Sequence, residues 1–112
     1  MTKDGFAVIF ITTSQDEESQ LIARMLLEQK MTSCVNIIPK INSLFWWNQV
    51  IEQNKESMLI VKTSVSRIND IVRLVKEAHS YDIPEIIALP IIGGNQDYLE
   101  WISNASVPSE PG

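Results

Sequence analysis

The chain has one histidine, one cysteine and no glycine-rich phosphate loop, so few side chains could do chemistry. A Ser/His/Asp or Cys/His arrangement would need Cys34 and His79 to meet from distant stretches. No catalytic residue is therefore assigned, and the expectation is a protein that is not an enzyme. Cys34 opens an expected strand, where a cysteine usually acts as a small buried hydrophobe. His79 lies eleven residues after Ile68, which returns it close to the apolar stripe in the last turn of a helix, where an imidazolium suits the helix dipole. Glu85 follows Pro84 at a strand start, close in sequence to His79 and Tyr81. His79 and Glu85 are accordingly the candidate metal ligands. Any transition-metal ion they hold is expected to be weakly bound, because tight sites gather three or four ligands. Lys62 closes an otherwise apolar strand and can either snorkel to water or meet a carboxylate or anion in a cleft. Trp47 points away from Trp46, so one of the pair can pack while the other lines a groove. Trp47, Lys62, Tyr81 and Glu85 form the candidate ligand cleft, and Glu52, Glu56, Asp82, Asp97 and Glu100 read as solvated charges.

Six main elements and one short helix must position these residues. Phe6 to Thr13 is an unbroken apolar run, the pattern of a strand covered on both faces. Ser14 to Glu17 spells a capping box, and the helix behind it runs to about Gln29 with Leu21, Ile22, Met25 and Leu26 on one face. Cys34 to Thr63 reads as a long β-hairpin that reverses near Asn48 and Gln49. Ser66 starts a second helix with Ile68, Ile71, Val72 and Val75 in one stripe, ending near His79. Pro84 to Ile92 is a fourth strand. Asn95 can cap a short third helix that turns Tyr98, Leu99 and Ile102 inward.

Pro39 and Pro90 confine the second and fourth strands to sheet edges. The first and third strands are then central, which defines an α+β, ferredoxin-like βαββαβ sandwich with antiparallel strand order 4-1-3-2. One domain is expected over 1–112, with its core at about 6–104 and a flexible tail at 105–112.

The hairpin is too long for that domain. At about 3.3 Å per residue the arm from Cys34 to Asn48 reaches roughly 50 Å, whereas a compact domain of this size is roughly 35 Å across. Its far end carries Phe45, Trp46 and Trp47, and a two-stranded ribbon with three adjacent rings needs cover. Those rings are the expected interface with further copies of the chain.

Bulk properties narrow the partners. Net charge is −5 and the pI about 4.7, so there is no basic footprint for nucleic acid or anionic lipid. No apolar run approaches a membrane span, Phe6 to Ile11 is too short for a signal h-region, and one cysteine suits a reducing compartment. The expected location is cytoplasmic, with no metal or disulfide needed for folding.

Taken in order, six stretches resemble the CutA family of divalent-cation tolerance proteins. They are the strand-to-helix junction at Thr12, SCVNIIP at Ser33 to Pro39, SLFWW at Ser43 to Trp47, the segment from Glu56 through LIVKT at Thr63, HSYDIPEIIALPI at His79 to Ile91, and DYLEWI at Asp97 to Ile102. The resemblance implies a ferredoxin-like subunit, a tight homotrimer with strands pairing across subunits, a cytoplasmic location in bacteria, and copper or other divalent-metal binding linked to metal tolerance. The architecture is also similar to that of PII signalling trimers, which implies the alternative of a small molecule or protein partner in an intersubunit cleft. Relatives credited with copper binding carry a Cys on the first strand and a His pair before Pro-Tyr. The aligned positions here read Ile11, Ala78, His79, Ser80 and Tyr81, so His79 alone remains of that set. Gln49 stands where relatives usually have Gly in the hairpin turn.

Overall fold

Both faces of β1 (Phe6–Thr13) are apolar, and the strand accordingly lies inside the sheet, hydrogen-bonded on both sides. The computed structural model describes residues 5–104; the tail at 105–112 lies outside them. After β1 come α1 (Asp16–Glu28), the hairpin strands β2 (Cys34–Trp47) and β3 (Val50–Ser64), one 3-10 turn, α2 (Ile68–Ala78), β4 (Ile86–Ile91) and α3 (Gln96–Ser103). The sheet order is β2-β3-β1-β4, all antiparallel, which is the expected 4-1-3-2 ferredoxin-like arrangement read from the other edge. The prolines sit where ladder chemistry tolerates them. Pro90 lies on edge strand β4, and Pro39 falls within a register shift between Ile38 and Ile41, beside Lys40 at φ 61°.

One face of the sheet carries the helices. Ile9 and Ile11 of β1 and Leu59 and Val61 of β3 are wholly buried against Ile22 and Leu26 of α1 and Ile71 and Val75 of α2. Leu21 departs from the expected stripe, being 71% exposed while Ala23 is buried in its place. The capping box differs too. Gln15 is the N-cap residue and makes no side-chain cap; Glu18, rather than Glu17, reaches back, accepting from the Ser14 amide at 2.9 Å and the Ser14 hydroxyl at 3.0 Å. The reciprocal half is missing: the Ser14 hydroxyl donates to Glu18 instead of accepting a helix amide, so the expected capping box does not form.

The alternate positions form a second face without α1 or α2. Side chains alternate along a strand, so the register places Val8 and Phe10 of β1, Met58 and Ile60 of β3, and Ile87 and Leu89 of β4 together there. Ile87 and Leu89 are about half exposed. In the single chain this apolar face is only partly covered.

The hairpin outgrows the domain, as its length requires. The chain measures 47 × 26 × 23 Å with a radius of gyration of 14.8 Å, against about 13 Å for a compact domain of this length. Trp46, Trp47, Val50 and Ile51 at its end are all more than half exposed. Trp47 pairs with Val50, and the two-residue reversal holds Asn48 at φ 52° and Gln49 at φ 68°, the double positive φ of a type I′ turn. Asn tolerates that conformation, but Gln suffers the Cβ clash. Gln49→Gly is expected to raise stability by about 0.5–1 kcal/mol after the entropy of glycine is set against the relief of strain, read as an upward shift of the urea midpoint at constant protein concentration.

Candidate functional site

Where α2 ends, an apolar stripe turns inward and takes His79 with it. The His79 side chain is fully buried, and its two ring nitrogens are both engaged. Nδ1 accepts from the Tyr81 amide at 3.0 Å, so the proton sits on Nε2, which donates to the Thr12 carbonyl at 2.7 Å. The preceding amide, Ser80 N–H, donates to Glu18 Oε2 at 2.7 Å. Two successive backbone amides thus bind the loop after α2 to an imidazole and a carboxylate, and the Glu18 bonds to Ser14 tie that loop to the start of α1.

Tyr81 extends the network to the hairpin. Its hydroxyl donates to Glu56 Oε2 at 2.6 Å, and its ring lies 4.8 Å from that of His79. Glu56, expected to be a solvated charge, is instead 7% exposed, because Tyr81 covers it at the point where β3 leaves the core. Burial first, then the Glu56 acceptor, push the Tyr81 hydroxyl pKa far above its ordinary value, so it remains a donor throughout the physiological range. Beside the hub is an open surface pocket bordered by Ser14, Glu17, Glu18, Leu21 and Ser80.

Glu18 is the charged centre of the hub. Burial acts to raise its pKa, but the hydrogen bonds from Ser14 and Ser80 together outweigh burial and leave it below the ordinary 4.5. A carboxylate lowered on folding stabilises the protein above its unfolded pKa, and that contribution is lost as pH falls through the folded value. Glu18→Gln should therefore cost about 1–2 kcal/mol at pH 7, and the gap to the native protein should close as pH drops below 4.5. Chemical denaturation across an acid pH series measures this.

The four expected cleft residues do not meet within one chain. Trp47 is at the hairpin tip opposite Val50, and Lys62 lies twelve residues further along β3, about 40 Å away at strand rise. Tyr81 is engaged by Glu56, and Glu85 is exposed just before β4. Only separate copies could join Trp47 to Lys62. Phe45 is half-buried and Trp46 and Trp47 exposed, all on the emergent ribbon. Cys34 is half-buried rather than sealed in the core. Its thiol lies 4.0 Å from the Lys62 ammonium, which also donates to the Asn36 side-chain oxygen.

The sequence pattern hid Glu18, Glu56 and Asn36, polar residues in ordinary surface positions whose partners come only from tertiary approach, while Tyr98, expected inward with Leu99 and Ile102, is 38% exposed. No group of three or more His, Cys, Asp or Glu side chains suited to a metal ion occurs among the described residues. His79 contributes one imidazole, and a closed high-affinity transition-metal site does not fit that donor set within one chain.

A ferredoxin-like α+β subunit, with an outgrown hairpin and a polar hub joining α1, the loop after α2 and β3, is the class that fold and site define. The CutA1 divalent ion tolerance protein family matches residues 7–105, and the chain belongs to that family. It is 40% identical over 99 residues to "Protein CutA 1, chloroplastic" of Oryza sativa subsp. japonica, covering 88% of this chain and 56% of the relative. It is 38% identical over 95 residues to the divalent-cation tolerance protein CutA of Thermus thermophilus, covering 85% of this chain and 92% of that one. A solved structure described as the periplasmic divalent cation tolerance protein CutA from Archaeoglobus fulgidus superposes with a TM-score of 0.87 at 42% identity, over 89% of this chain and 97% of the other. The chain therefore spans little more than half of its plant relative and nearly all of the Thermus protein. No helix among the described residues is long and apolar enough to cross a membrane.

Proposed function

We propose that this chain forms a homotrimer in the cytoplasm and serves, without catalysis, in the response to divalent cations, binding copper or a similar ion weakly. Family membership supports the cation. The observation that carries the assembly is the helix-free sheet face, apolar and half exposed at Ile87 and Leu89, beside a ribbon whose Trp46 and Trp47 stand in water. A second and third copy of the chain would cover both, with Phe45, Trp46 and Trp47 at the interface. Light scattering at micromolar concentration is expected to give about three times the 12.7 kDa chain mass, and a 12.7 kDa particle would remove the trimer.

His79 and Glu85 are the proposed metal ligands. An ion at His79 Nδ1 must displace the Tyr81 amide, and it would meet Glu18 Oε2, 3.8 Å from that nitrogen. Competition with the fold keeps such binding weak. Isothermal titration with Cu²⁺ should show heat for the native protein that His79→Ala and Glu85→Gln both diminish. Superimposable isotherms would take these two residues out of the site.

A second reading, a PII-like module binding a small molecule or protein partner between subunits, draws on Trp47, Lys62, Tyr81 and Glu85 from different copies. The observation favouring it is Lys62, a half-buried residue whose ammonium has an amide oxygen and a thiol as partners. Quenching of tryptophan fluorescence by a ligand in metal-free buffer would support it over cation binding.

A further inference from the structure

At one end of the helix-free face, Cys34 of β2 and Lys62 of β3 are direct cross-strand partners, and Lys62 pairs on its other side with Val8 of β1. Asn36 lies two residues along β2 on the same face as Cys34. α3 approaches this end of the sheet: burial and then the neighbouring Cys34 thiol raise the Tyr98 hydroxyl pKa, and the Trp101 ring lies 5.6 Å from that of Tyr98. The Ser33 hydroxyl holds the helix in place through the Trp101 and Ile102 carbonyls. A lysine, an amide, a hydroxyl and two aromatic rings therefore converge where sheet and helix meet.

Among the described residues Lys62 has no counter-charge: the ion pairs are Arg73 with Asp70 and His79 with Glu18, and neither involves Lys62. The ammonium of this half-buried residue is engaged by the Asn36 oxygen and the Cys34 sulfur. A lysine has three N–H donors, so one remains. With its oxygen held by Lys62, the exposed Asn36 amide still has its NH₂ group to donate, and the Tyr98 hydroxyl, beside Cys34, is a further donor. In a chain of net charge −5, this is a local exception to a field that repels anions.

We propose that Lys62, Asn36 and Tyr98 form a receptor for a small organic oxyanion, a carboxylate or phosphate monoester, whose apolar part rests on the Tyr98 and Trp101 rings. Lys62 supplies the charge, Asn36 and Tyr98 supply hydrogen bonds to the oxygens, and the ring pair selects an organic anion over an inorganic one. The receptor deepens the small-molecule reading of Lys62. It does not depend on metal binding, and all of its groups come from a single chain.

Benzoate and phenyl phosphate, titrated calorimetrically into the intact native protein, test the two oxyanion classes, with benzamide as the neutral control and inorganic phosphate as the anion without a ring. Saturable binding of benzoate or phenyl phosphate is expected, with benzamide and inorganic phosphate much weaker. Lys62→Met should reduce affinity by about tenfold or more, the worth of a charge-assisted hydrogen bond, while Lys62→Arg keeps it within about threefold. Asn36→Asp places a carboxylate beside Lys62 as an internal counter-ion and should abolish binding without loss of melting temperature, which keeps the test decisive if Lys62→Met folds poorly. Benzamide binding as well as benzoate does, or Asn36→Asp binding as the native protein does, would overturn the proposal. Fluorescence quenching that persists unchanged in Asn36→Asp would also overturn it, while leaving an intersubunit site near Trp46 and Trp47 standing.

Discussion

Leu89→Asp is expected to turn the proposed trimer into folded single chains. Leu89 sits on edge strand β4, on the sheet face opposite α1 and α2 and beside Val8 of β1, 46% exposed in the isolated chain. In that state a carboxylate there reaches water at little cost. Once the face is buried against another copy, the same carboxylate has no partner, and an unpaired buried charge costs several kcal/mol per site. Symmetry repeats the penalty in every subunit. Light scattering should therefore fall from about three chain masses to one at 12.7 kDa, while far-ultraviolet circular dichroism retains the mixed α+β spectrum. Trp46→Ala should weaken assembly less, since the tip gives up one ring while the face remains intact. Should Leu89→Asp keep the native mass, the face is not where copies meet.

Two proline residues and one length argument made most of the fold legible before any coordinates. Pro39 and Pro90 cannot serve a central ladder, which puts the second and fourth strands at the edges, and the hairpin pairing of the second with the third completes the order. The hairpin's reach against the domain's diameter likewise foretold a ribbon beyond the core. The candidate site was far less legible. His79 could be placed on an inward stripe by its spacing from Ile68, but its partners come from Thr12, Glu18 and Tyr81, and their meeting depends on three elements packing at one corner. Glu56 carries the same lesson: in the unbroken polar run from Glu52 to Ser57 it looks solvated, and Tyr81 arrives to cover it. The shift from Glu17 to Glu18 in the α1 cap has a similar origin, since Glu18 alone also meets the Ser80 amide.

Substituting His79 by alanine is expected to destabilise the metal-free protein by about 3 kcal/mol, whatever the protein binds. The imidazole fills a buried corner and satisfies two backbone groups, the Thr12 carbonyl at the end of β1 and the Tyr81 amide in the loop after α2. Deletion leaves both groups without a partner and a cavity between them. The consequences extend past the corner. Tyr81 positions its hydroxyl on Glu56 from the same loop, so freeing that loop exposes the carboxylate and loosens the base of the hairpin. Tyr81→Phe removes only this last bond and should cost about 1 kcal/mol, a smaller loss that falls on the same pathway. In a double-mutant cycle the two costs should add to less than their sum, because the Tyr81 contact is already weakened once His79 is gone. Urea denaturation at one fixed protein concentration, in chelator, measures all four species without the metal or mass-action terms that would otherwise enter. Full stability of His79→Ala in chelator, together with loss of Cu²⁺ heat, would assign His79 to ligand binding alone and refute its role in holding the loop.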